Sequence, residues 1–128
     1  MWQDLDVGVV DVTTGPWMAA VDEFTITVHG KGAHGAMPHL SVDPVVCAAH
    51  IITALQTIVA RRLDPAAPAV CTVGSIHAGV ASNVIPERAI VSGDLRALSV
   101  EQFAQARKRM EAIVASAPLA QTKASIAF

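Results

Sequence analysis

Charge is scarce in this 128-residue chain: 16% of its residues are charged and the formal net charge is -2. No Lys/Arg run appears, and the densest basic stretches are Arg61-Arg62 and Arg107-Lys108-Arg109. A nucleic-acid surface needs a basic face, so no nucleic-acid partner is expected. Long apolar runs are also lacking. None approaches the roughly 20 residues of a membrane span, and the start, Met1-Trp2-Gln3-Asp4-Leu5-Asp6, lacks the basic-then-apolar layout of a signal peptide. A cytoplasmic origin with no membrane partner is the expectation. Cysteine is limited to Cys47 and Cys71, neither in a CxxC pair and both in apolar company. They read as two buried thiols of a reducing compartment, with a disulfide or a nucleophile as the alternatives. There is no internal repeat and no low-complexity linker.

What is present is apolar: 52% of residues are hydrophobic. That excludes disorder, which needs low hydrophobicity and high net charge. It exceeds what one small core uses, which points to apolar surface facing a partner. The length suits one domain. Val7 to Val12 reads as a short strand, ended by the turn signal Thr13-Thr14-Gly15-Pro16. In Glu23 to His29, Phe24, Ile26 and Val28 alternate with Thr25, Thr27 and His29, the pattern of a half-buried strand. Gly30 to Leu40 is a glycine-rich loop. Asp43 as N-cap and Pro44 at the first helical position open a helix to about Arg61, with Val45, Ala48, Ala49, Ile52, Leu55, Ile58 and Val59 as its apolar face. Pro65 and Pro68 end it.

Ala69 to His77 is a second strand, with Val70, Thr72, Gly74 and Ile76 on one face. Ala78 to Arg88 connects it to a third, Ala89 to Arg96. Ser99 and Gln102 form a capping box for a second helix, whose Phe103, Ala106, Met110, Ile113 and Val114 recur at helical spacing. After Ala117-Pro118, Ala124, Ile126 and Phe128 alternate as a last strand. The order is that of an α+β, ferredoxin-like βαββαβ fold: a four-stranded antiparallel sheet with two helices on one face. The other face must meet solvent, a ligand or a second chain, and an open edge strand invites another subunit. The fold alone does not give a function.

Three short segments could carry chemistry. In Gly30-Lys31-Gly32-Ala33-His34-Gly35-Ala36-Met37-Pro38-His39 the glycines allow close backbone approach, and a histidine can donate to a developing oxyanion or bind metal. A plain loop with exposed histidines fits equally. No Asp, Glu or Cys sits at ligand spacing, so no metal site is expected, and the glycine spacing is not that of a nucleotide loop. In Gly79-Val80-Ala81-Ser82-Asn83-Val84-Ile85-Pro86, Asn83 offers a donor and an acceptor for an amide or carboxylate, or is simply a turn residue. In Ser92-Gly93-Asp94-Leu95-Arg96, Arg96 could hold a carboxylate through two parallel hydrogen bonds, or pair with Asp94 at the surface. His29, His50 and His77 read as structural or exposed, and Trp2 and Trp17 as packing residues.

Taken together, Gly32 to His39, Val42-Asp43-Pro44-Val45, Ala54 to Val59, Ser82 to Pro86 and Gly93 to Arg96 resemble, in order and spacing, one family. The chain resembles the central insert of the zinc aminoacylase and carboxypeptidase family, which includes hippurate hydrolase and N-acyl-amino-acid amidohydrolases. The resemblance implies a dimerisation, or lid, domain that interrupts a two-zinc catalytic domain and pairs with its copy as a homodimer. It implies that His34 reaches the active site of the other subunit to hold the scissile carbonyl oxygen, and that Asn83 and Arg96 bind an N-acyl amino acid substrate. His39 matches a recurrent position, read as loop support. The family's metal-binding Cys-Gly-His-Asp-type segment and Glu-Glu pair are absent, as is the histidine that precedes a Trp like Trp2. The expectation is therefore a fragment: residues 1–15 a remnant of the catalytic-domain junction, 16–128 the lid domain, inactive alone. No cofactor is expected in this chain; two zinc or other divalent ions are expected in the parent. The alternative is a free-standing ferredoxin-like dimerisation or small-ligand-binding module.

Overall fold

The computed structural model describes residues 5–12, 14–116 and 121–128. Trp2, Thr13 and the expected break at Ala117-Pro118 lie outside them. Strands β1 (Ala20–His29), β3 (Ala69–Ala78), β5 (Arg88–Ala97) and β6 (Lys123–Ala127) form an antiparallel sheet in the order β3-β5-β1-β6. Helices α1 (Pro44–Arg62) and α2 (Val100–Ala115) pack against it and each other. This is the expected α+β arrangement. A second, two-stranded sheet pairs β2 (Ala33–His34) with β4 (Val84–Ile85).

The core follows from the alternation in β1. Phe24, Ile26 and Val28 are fully buried, as are their neighbours Val91 and Ala89 in β5. Phe24 lies opposite Gly93, where a Cβ would lie 2.7 Å from the Phe24 ring and collide with the Thr72 carbonyl. The aromatic ring covers the glycine that makes room for it.

Helix α1 begins as its cap dictates: Asp43 Oδ1 accepts from Val45 N at 2.8 Å and Val46 N at 3.4 Å, with Pro44 in the first turn. Its core face differs from the expected one. Cys47, Ala48, Ile51, Leu55 and Ile58 are buried, while Val45, Ala49 and Val59 are exposed. Apolar residues occupy more than half the circumference, so periodicity alone cannot fix which edge meets the sheet. By length and composition α1 could cross a membrane, with 19 residues at a mean hydropathy of 1.4. The expectation that no stretch comes near a span needs that correction, although the helix here buries one face on a sheet.

Other expectations also change. Val7 to Val12 forms no strand; Val9 N donates to the Asp6 carbonyl at 3.1 Å in a turn, and these valines are exposed with no described strand beside them. In β3 a bulge between Val73 and Ser75 breaks the expected grouping. Val70 and Thr72 lie on the uncovered face, but Ile76 pairs with Val91 and so turns to the helix side. Ala69, Cys71 and Val73 pack on the core instead. Both thiols are free, with Cys47 buried and Cys71 only half-buried. The capping box of α2 is half made: Ser99 Oγ accepts from Gln102 N at 3.4 Å and donates to Glu101 Oε2 at 2.6 Å, leaving buried Gln102 Oε1 without a partner. The last strand is as read, with Ala124, Ile126 and Phe128 against the core. Arg107 ties it to the sheet, 3.9 Å from the Phe128 ring centre and 3.1 Å from Asp22 Oδ2.

Candidate functional site

The loop after β1 is drawn down onto the connection between β3 and β5. Gly30 N donates to the Glu87 carbonyl at 2.9 Å, and Lys31 exchanges main-chain hydrogen bonds with Val42 at 2.8 and 3.0 Å. His34 then lies opposite Val84 in the β2–β4 pair. Gly35 N donates to the Asn83 carbonyl at 2.8 Å, and a Cβ on Gly35 would lie 3.1 Å from that oxygen. Glycine permits this approach, and it brings His34 and Asn83 together from positions far apart in sequence.

His34 is exposed and its ring is held locally. The Ala36 amide donates to His34 Nδ1 at 3.0 Å, and Met37 N donates to the His34 carbonyl at 2.8 Å. With Nδ1 engaged, Nε2 is the ring nitrogen open to a further partner. An imidazole so placed can donate a hydrogen bond to an anionic or polarised oxygen. Asn83 is also exposed. An open cleft of about 460 Å³ flanks it, lined by Val45, Ala78, Gly79, Val80, Ser82 and Val84 among others.

His39 sits in a 3-10 turn (Pro38–Leu40) and is exposed. That turn is held by Leu40 N, which donates to the Met37 carbonyl at 3.1 Å, and by Ser41, whose N and Oγ donate to the Pro38 carbonyl at 3.0 and 2.7 Å. Arg96 is elsewhere. It lies opposite Val21, whereas Arg88 lies opposite His29 at the β2–β4 end. Eight residues of strand, roughly 26 Å, separate the two positions. Arg96 Nε is ion-paired with Asp94 Oδ2, the surface pairing the sequence also allowed. Both border a groove of about 470 Å³ with Glu23, Thr25, Ser75 and Ser92. Burial, and secondarily the Asp94 charge, hold the Cys71 thiol above the ordinary cysteine range. His29, His50 and His77 are exposed.

Among the described residues no three His, Cys, Asp or Glu side chains converge as a metal would require. These described residues do not fit a metal centre. Two features escaped the sequence reading: the Ala36 amide, a main-chain group with no side-chain signature, and the β2–β4 pair, foreshadowed only by the β-branched Val84-Ile85.

A family model described as a peptidase dimerisation domain, of the M20 group, matches residues 21–122. The chain belongs to the M20 peptidase dimerisation-domain family. This domain is 44% identical over 110 residues to an N-acetyl-L-cysteine deacetylase of Bacillus subtilis, covering 86% of this chain and 26% of that protein. It is 44% identical over 110 residues to an N-acetyldiaminopimelate deacetylase of Enterococcus faecalis, covering 86% and 29%. The chain thus spans between a quarter and a third of these relatives. Among solved structures, the YXEP protein of Bacillus subtilis, a dinuclear metal binding peptidase of the M20 family, superposes with a TM-score of 0.64 at 30% identity, over 97% of this chain and 29% of that one. An aminobenzoyl-glutamate utilization protein of Klebsiella pneumoniae shares the fold with a TM-score of 0.75 at 23% identity, over 88% and 28%. Both of these curated relatives are named as deacetylases of N-acetylated amino acids, and the matching family is described as a dimerisation domain.

Proposed function

We propose that this domain joins two copies of a metal-dependent amidohydrolase and lends each copy's active site the His34–Asn83 corner of the other. The observation that carries the reading is the β2–β4 pair, which fixes an exposed imidazole beside an exposed carboxamide. In hydrolysis of an N-acyl amino acid, His34 Nε2 would donate to the carbonyl oxygen as it gains charge, and Asn83 would hold the polar substrate beside it. The attacking water and its metal ions (zinc or another divalent pair) belong to parts of the parent outside these residues. The isolated chain is accordingly expected to hydrolyse nothing. His39, exposed in the 3-10 turn that follows, is read as loop support.

The homodimer would form along β3 and α1. Strand β3 is an edge of ten residues, against five for the opposite edge, β6. Exposed Ile76, Val45, Ala49 and Val59 supply apolar surface on the helix side of that edge. A two-fold pairing of β3 edges runs antiparallel and sets the Arg96 end of one copy beside the β2–β4 end of the other. This supports Arg96 as a carboxylate ligand acting with His34 and Asn83 of the opposite copy, where it would exchange Asp94 for substrate. The test is the full-length parent with His34→Ala. Turnover is expected to fall by about 10²-fold or more, as when one oxyanion donor is removed; near-normal turnover would overturn the reading.

A further inference from the structure

The proposed role of His34 needs a donor, yet a neutral imidazole has one N–H and one bare nitrogen, and either nitrogen can carry the proton. Which one does is set by the hydrogen bond made at the other nitrogen. At His34 that bond is present: the Ala36 main-chain amide, itself only a donor, donates to Nδ1 at 3.0 Å. Nδ1 must then be the bare, accepting nitrogen. We infer that the Ala36 amide is a positioning group that locks neutral His34 as its Nε2–H tautomer, so that the open nitrogen presents a proton and not a lone pair. The inference rests on the reading of His34 as oxyanion donor and specifies how the fold prepares it.

The turn is built to hold that bond. Gly35 N is fixed to the Asn83 carbonyl at 2.8 Å and Met37 N to the His34 carbonyl at 2.8 Å, so the amides on either side of Ala36 are both engaged. These two bonds anchor the peptides that flank the one carrying the Ala36 amide. The same Gly35–Asn83 bond that joins the two site residues thus also aims the amide that sets the imidazole. The consequence is chemical. A neutral ring in this tautomer can donate to an anionic oxygen, such as that of a tetrahedral adduct. While neutral it offers Nε2 neither as a general base nor as a metal ligand.

The test needs no turnover. The 128-residue chain is labelled with 15N at histidine, and its ring nitrogens are read by long-range proton–nitrogen correlation at alkaline pH. His34→Gln assigns the signals. A bare-nitrogen shift at Nδ1 with an N–H shift at Nε2 is expected; the reverse, or two exchange-averaged shifts, overturns the inference. Ala36→Pro, which deletes the donor, should draw the two His34 shifts together and leave His29, His50 and His77 unmoved. Unchanged His34 shifts in a folded Ala36→Pro chain would also overturn it. Should that variant not fold, the wild-type spectrum decides. A wrong tautomer defeats this inference without touching the activity test, and a fully active His34→Ala parent defeats the functional reading without touching the tautomer.

Discussion

Replacing Gly35 by alanine should loosen the candidate site while sparing the core. A Cβ there would lie 3.1 Å from the Asn83 carbonyl oxygen and 3.3 Å from its carbon. Ordinary contacts between such atoms are nearer 3.5–4.0 Å. The strands must part by a few tenths of an ångström, and the 2.8 Å bond from Gly35 N to Asn83 O lies on the same contact. Weakening that bond costs about 0.5–1.5 kcal/mol, and overpacking adds about 1–3 kcal/mol. The β2–β4 pair lies apart from the buried cluster of Phe24, Ile51 and Leu55, so most of this cost should appear as local opening. Each ~1.4 kcal/mol is a factor of about ten, and the Gly35 amide should exchange with solvent roughly ten- to thousandfold faster. The global urea midpoint should move far less. Hydrogen exchange read by NMR, beside a urea titration, tests this. Unchanged exchange at Gly35, with unmoved His34 and Asn83 resonances, would refute the claim that this approach holds the two residues together.

Further predictions concern the core, the edge and the thiol. Leu55→Ala removes a fully buried side chain and should cost about 2–5 kcal/mol in chemical denaturation; a loss below about 1 kcal/mol would place Leu55 outside the core. Ile76→Lys, at an exposed position on the β3 edge, should shift the chain toward monomer in sedimentation without lowering its helix content, whereas an unchanged dimer would exclude that edge. The Cys71 thiol is held above its ordinary range by burial and then by Asp94, so the folded chain keeps that proton more tightly than the unfolded one. Its contribution to stability is complete below the unfolded thiol value and is lost as pH rises through the folded one. The alkaline limb of the stability curve should flatten in Cys71→Ala; an identical limb would contradict this.

The parts of the fold legible in the sequence are those decided locally. The cap at Asp43, the alternation of Phe24, Ile26 and Val28, and the spacing of Ala106, Met110 and Val114 each depend on near neighbours, and each appears where expected. What depended on distant partners was not legible. The Gly74 bulge turns Ile76 to the helix side only because β5 fixes the register. The face of α1 was misread because Val45, Ala49 and Val59 are as apolar as the buried Cys47 and Ile51. The β2–β4 pair spans two residues on each strand, too short for any periodicity to announce it. So the individual residues His34 and Asn83 could be singled out, but not their adjacency, and nothing in the spacing revealed that Arg96 stands at the far end of the sheet.

Subunit complementation in the full-length parent bears most directly on the claim that His34 serves a site outside this chain. One variant carries His34→Ala; a second is disabled in the part of the parent beyond these residues. Mixed dimers are expected to regain activity that neither preparation has alone, because one intact site then receives an intact His34 from its neighbour. Mixtures no more active than the separate variants would contradict the account.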